Sequence, residues 1–218
     1  MAKDLEQQAL ADRLMRVAGV TYAAEAGIKL KNTPKPLFQL LTLCMLTSKP
    51  IHASTAVHAA RELFRAGLRT PDAVLAAQRA TMIDTFGRAG YARYDESSAT
   101  RLTDIARSVR DSYGGDLRRL AEQAGRDVAA AARLLQRFKG IGQTGAAIFL
   151  REVQDTWTWV RPYFDARALT AAEELGLPAD AEQLAALHPQ SCAELAAALV
   201  RVSLADELRD EVLRTAGE

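Results

Sequence analysis

Apolar residues along this chain recur mostly three or four positions apart, the spacing of helices that bury one face. Between Asp4 and Val17, residues Leu5, Ala9, Leu14 and Val17 form an imperfect stripe of this kind. Leu37 to Leu46, LFQLLTLCML, is apolar on nearly every side and predicts a helix buried within a bundle. Pro36 suits its first turn, and Pro50 disfavours helix in the residue before it, so the helix should end near Thr47. Ser54 to Ala66 reads as the next helix, stopped by Gly67. Thr70-Pro71-Asp72 is a helix start, with a capping hydroxyl and proline at the first position. A short helix from Thr81 to Phe86 should break at Gly87 and Gly90. Another begins at Ser97 or Ser98, carries Leu102, Ile105, Ala106 and Val109 inward, and stops at Gly114-Gly115. Helices follow at Asp116 to Gln123, Asp127 to Phe138, Gln143 onward and Asp165 to Leu175. The last lie around Glu182 to Ala186, Cys192 to Val202 and Asp206 to Thr215. Thr156 to Val160 alternates and suggests a briefly extended stretch, too little for a sheet. The expected class is all-α, with about ten or more short helices and short loops.

Composition narrows this picture. At 218 residues the chain can build one large domain or two smaller lobes. An apolar share of 49% with 25% charged residues describes a soluble globular protein. No apolar run approaches membrane-spanning length, and Met1 to Arg16 is charged and amphipathic rather than a signal peptide. A cytoplasmic monomer with no membrane partner is expected. Cys44 lies in an apolar run, and neither it nor Cys192 has a metal-ligand neighbour. His52, His58 and His188 lack ligand spacing with either cysteine. No metal site is therefore expected. Net charge is only +1, but it is unevenly spread. Arg101 to Arg151 holds ten Lys and Arg against five Asp and Glu, whereas Asp180 to Glu218 holds three against eight. The imbalance is consistent with a basic face, and equally with two ordinary solvated helix surfaces.

The basic region centres on Phe138-Lys139-Gly140-Ile141-Gly142-Gln143-Thr144-Gly145-Ala146-Ala147. Two glycines bracket one apolar residue between two helices. Gly140 and Gly142 can take positive φ and allow close approach, and Ile141 is expected to plug the turn into the core. The amides from Gly142 to Gly145 are donors at a helix start, suited to an anion such as a DNA phosphate, and Lys139 adds a cation. The plainer alternative is a helical connection with two capping glycines.

The stretch resembles the hairpin of helix-hairpin-helix proteins. Residues from about Leu37 to Gly176 resemble the helix-hairpin-helix DNA glycosylase superfamily, in particular its endonuclease III-like branch. Three segments carry the likeness in family order: LLTLCMLTSK, FKGIGQTGAA and Val160-Arg161-Pro162-Tyr163-Phe164-Asp165-Ala166-Arg167. The resemblance implies two helical lobes with an interlobe cleft: residues 34–143 form a barrel with the hairpin, and residues 1–33 join 144–218. It implies a double-stranded DNA partner bearing a lesion or mismatch, with the target nucleotide rotated out of the duplex. It also implies that Asp165 is catalytic. A carboxylate near the anomeric carbon would stabilise charge on the sugar as the N-glycosidic bond breaks. Read alone, an aspartate at a helix start is a cap, and both roles stay open. DNA-binding candidates are Lys139, Gly140, Gly142, Gln143, Thr144, Gly145 and Lys49. Lys49 stands where relatives fill the gap left by the flipped base, or is a solvated loop lysine. Tyr91, Tyr94 and Tyr163 line a base pocket or belong to the core.

Two departures from the family pattern shape the expectation. Lyases of this branch keep a Schiff-base lysine where this chain has Thr144, whose hydroxyl cannot form that adduct. Residues 178–218 hold only Cys192, so no four-cysteine iron–sulfur cluster forms and no cofactor is expected. The expected function is a monofunctional DNA glycosylase of base excision repair. The alternatives are a non-catalytic, structure-selective DNA binder of the same fold and an unrelated helical protein.

Overall fold

The apolar run at 37–46 becomes the most deeply buried element. In the computed structural model, which describes residues 2–214, every residue from Leu37 to Leu46 in helix α3 is buried. Among the described residues the chain is all-α, with fourteen helices, two 3-10 turns and no strand. They are α1 (Ala2–Ala18), α2 (Tyr22–Glu25), α3 (Pro34–Thr47), α4 (Ala53–Arg65), α5 (Pro71–Ala76), α6 (Arg79–Arg88) and α7 (Asp95–Tyr113). Then come α8 (Arg118–Gln123), α9 (Val128–Leu135), α10 (Gln143–Val153), α11 (Ala166–Glu174), α12 (Ala181–Leu187), α13 (Cys192–Val202) and α14 (Asp206–Leu213). No helix among these residues is long and apolar enough to cross a membrane.

The chain divides into two compact units. One is Ala23–Leu150; the other joins the residues up to Tyr22 with those from Arg151 onward. In the first unit α3 packs on α4 and α7, α5 lies on α7, and α6 bridges α4 and α7. In the second, α1 and α11 both pack on α13, and α14 closes against α1 and α13. Helix α13 is alanine-rich and almost wholly buried, which suits a helix with neighbours on several sides.

Capping explains several helix starts. The Thr70 hydroxyl accepts from Ala73 N at 3.2 Å, with Pro71 at the first helical position. The Asp127 carboxylate accepts from Ala130 N at 2.6 Å. Gly114 ends α7 in the left-handed region at φ 59°.

The observed elements differ from the expected ones at several places. Helix α6 runs through Gly87 to Arg88, because packing against α4 and α7 outweighs one glycine. Helix α7 begins at Asp95, ahead of both serines, since the 3-10 turn Ala92–Tyr94 leads directly into it. Helix α9 stops at Leu135, and residues 136–138 are a turn. Thr158–Val160 forms a 3-10 turn rather than an extended stretch; Trp157 is buried and stacks on Trp159 at 5.4 Å. The expected end of the last helix, Thr215, lies outside the described residues, as does Met1.

Candidate functional site

The glycine-rich turn at residues 138–145 belongs wholly to the 23–150 unit. Phe138 packs against Tyr113, with ring centroids 5.9 Å apart. Gly140 takes φ 91°, where a side chain would be strained. A Cβ on Gly140 would lie 2.9 Å from Cδ of Arg101 and 3.4 Å from Cγ of Met45. Ile141 is buried, and its amide donates to Phe138 O at 3.0 Å. Gly142, Gln143 and Thr144 are exposed and open α10, whose first-turn amides have no carbonyl one turn back to pair with. Gly145 is buried, and a Cβ there would lie 2.6 Å from the Ser48 hydroxyl oxygen, at the end of α3.

The two bracketing glycines therefore differ. Gly140 takes the positive φ that is open to a glycine. Gly142 does not, and a Cβ there would meet nothing within 4 Å. The close approach is made by Gly145, because the α10 start leans on Ser48. Lys139 is not a lone cation either: its ammonium lies 3.3 Å from Asp104 Oδ2, and Arg107 sits 3.2 Å from Asp104 Oδ1.

Lys49 is partly buried just beyond α3, with its ammonium 5.6 Å from the centre of the Tyr94 ring. The Arg93 guanidinium lies 5.5 Å from the same ring. Tyr94 stands 6.0 Å from Tyr91, which is fully buried and donates its hydroxyl to Leu46 O at 2.9 Å. Burial pushes the Tyr91 phenol up to about 12. Tyr91 is thus a core residue that ties the end of α3, and Tyr94 supports Lys49.

Asp165 belongs to the other unit. It is the N-cap of α11, and its Oδ1 accepts from Ala168 N at 3.0 Å. Its Oδ2 accepts from Arg151 Nη1 at 2.5 Å. The Arg151 side chain is 3% exposed and that of Asp165 13%, so the pair is shielded from water on the arginine side and touches solvent on the other. Arg151 also lies 5.8 Å from the Tyr22 ring centre, and 3.9 Å from Glu152 Oε1. Gln154, fully buried, grips the main chain just before Asp165. Its Oε1 accepts from Tyr163 N at 2.9 Å, and its Nε2 donates to Tyr163 O at 2.9 Å. Burial, then the Asp165 charge, pushes the Tyr163 phenol upward.

A second polar group braces the same segment. Arg161 pairs with Asp155 and donates to Pro189 O at 2.8 Å, while Asp155 Oδ2 accepts from Ala193 N at 2.9 Å. Glu194 is pushed upward, first by burial and also by its hydrogen bond to Asp155 and that carboxylate's charge. The arrangement offers a carboxylate of fixed orientation whose two oxygens are already engaged.

The structure gathers Lys139, Gly140, Gly142, Gln143, Thr144 and Gly145 in one turn, while Asp165 is positioned by the other unit. Sequence reasoning missed Arg151 and Gln154. Arg151 carried a signal, as a charge directly after the apolar run Ala146 to Leu150; Gln154 carried none. Among the described residues no group of three or more His, Cys, Asp and Glu is placed to hold a metal ion, and Cys44 and Cys192 are buried outside any disulfide. No family model matches the chain, and no curated protein sequence matches it.

Proposed function

We propose that this chain is a DNA-repair enzyme: a monofunctional DNA glycosylase that removes a damaged or mismatched base from duplex DNA. The observation that carries the reading is the 138–145 turn. Its Gly140, at a φ that favours glycine, and its buried Ile141 hold an exposed helix start, Gly142 to Thr144, in a form suited to a DNA phosphate. We read it as a helix-hairpin-helix motif. A nucleotide rotated out of the duplex would present its sugar to Asp165, whose fixed carboxylate would stabilise the positive charge that builds as the base departs. Thr144 supplies no amine, so base release without strand cleavage is the expected reaction.

One observation favours a second reading, a non-catalytic DNA binder. Both Asp165 oxygens already serve structure, one on Ala168 N and one on Arg151. In that reading the hairpin grips DNA backbone and Asp165 is only a cap.

The test is base release from a panel of duplexes, each with one modified or mismatched base, read with and without hot alkali. Wild type and Asp165→Asn are compared, with melting curves to check folding. Strand breaks only after alkali, in wild type and not in the folded variant, are the expected outcome. Breaks without alkali would overturn the monofunctional assignment. No product from any duplex, with DNA binding intact in both proteins, would select the binder.

A further inference from the structure

Lys139 is the cation that the hairpin sequence advertises, yet its ammonium, on a side chain 77% exposed, is already shared with a carboxylate. Its ammonium lies 3.3 Å from Asp104 Oδ2, and the same carboxylate holds Arg107 at 3.2 Å. A phosphate reaching for Lys139 would meet the negative charge of Asp104 at the same place. Arg101, one helical turn before Asp104 on α7, is differently placed. It is partly exposed, and among the described residues it makes no ion pair and no side-chain hydrogen bond. Its stem lies over the turn: Cδ is 2.9 Å and Cγ 3.6 Å from where a Cβ on Gly140 would be. The guanidinium begins one bond beyond Cδ, so the charge stays beside the hairpin whichever rotamer its end adopts. The glycine makes room for the arginine stem, and its φ of 91° is open to it because it has no Cβ.

We infer that Arg101, rather than Lys139, is the residue that contributes the hairpin's cation to a DNA phosphate. The inference rests on the DNA-binding reading above and adds to it a phosphate-contacting side chain from a different helix. A planar guanidinium with several donors suits a phosphate better than an ammonium already shared with a carboxylate.

The experiment measures binding of a short undamaged duplex, and of the same duplex with a stable abasic-site analogue, across a range of potassium chloride concentrations. Wild type, Arg101→Met, Arg101→Lys and Lys139→Met are compared, after melting curves show that each is folded. Methionine keeps an apolar stem over Gly140 and removes only the charge. Arg101→Met should bind about tenfold more weakly near 0.1 M salt, with the log–log salt slope shallower by about one. Arg101→Lys should restore the slope and part of the affinity. Lys139→Met should change both clearly less than Arg101→Met does. Loss of slope in Lys139→Met, alone or equal to that in Arg101→Met, would overturn the assignment, as would no change in either variant. In those cases a salt-sensitive wild type leaves the DNA-binding reading standing. A wild type with no salt-sensitive affinity for either duplex would remove that reading, and this inference with it.

Discussion

Asp165 owes its orientation to two partners of different origin. The Ala168 amide is local, three residues on, and follows from an aspartate at a helix start. Arg151 is fourteen residues back and nearly inaccessible to solvent, so the carboxylate is the arginine's main compensation. Removing one partner of such a pair leaves a buried charge without its counter-charge, which costs more than the pair itself contributes. Arg151→Met should therefore lower the unfolding free energy by about 3–5 kcal/mol in urea titrations. Gln154→Leu, which keeps volume but releases both main-chain groups of Tyr163, should cost about 1–3 kcal/mol. A loss under half a kcal/mol in either variant would mean that the segment before Asp165 is held by other contacts.

At the scale of elements, the 138–145 turn assigns its glycines three different duties. Gly140 carries the positive φ, Gly142 carries no steric requirement, and Gly145 admits Ser48. Alanine at Gly140 should destabilise the fold by roughly 1–2 kcal/mol from backbone strain, with more from displacing Arg101. Alanine at Gly142 should be neutral or stabilise by about 0.4–1 kcal/mol, since its backbone suits an L residue. Gly145→Ala should lower the melting temperature, and adding Ser48→Ala should restore most of that loss by removing the hydroxyl in the way. Equal losses at Gly140 and Gly142, or no recovery in the double variant, would contradict this division. Gly142→Ala serves a further purpose. A folded variant with reduced DNA affinity would separate the turn's proposed binding role from its structural one.

Across the whole molecule, burial raises the phenols of Tyr91, Tyr113 and Tyr163, Tyr91 to about 12. A hydroxyl that ionises later in the folded chain than in the unfolded one supports the fold fully below the unfolded value of 10.0. That support is lost as pH rises through the folded value. Stability should therefore fall as pH rises from about 10 toward 12, by roughly 2–3 kcal/mol from Tyr91 alone. Tyr113 and Tyr163 act in the same direction, so the slope difference between wild type and Tyr91→Phe isolates Tyr91. Identical alkaline unfolding curves would show that the phenol reaches water. Tyr91→Phe should also cost some stability at neutral pH, because Leu46 O loses its donor.

What the sequence determined by itself is what acts over one or two turns of chain. The apolar run of α3 implied a helix without a wet face, and each residue from Leu37 to Leu46 is buried. Thr70-Pro71 was readable as a helix start, and Asp165 as a cap, because a cap and its amide lie within three residues. Ile141 between two glycines was readable as a plug. The tertiary structure decided what depends on which faces meet. It set Lys139 on Asp104, thirty-five residues away, and the Arg101 stem on Gly140, thirty-nine away. It spent the Tyr91 hydroxyl on Leu46 rather than on a pocket. It paired Arg151 with Asp165 and placed Gln154 against Tyr163. Helix period and capping are properties of neighbouring residues. The partner of a charge or a buried amide is set only when separate helices pack.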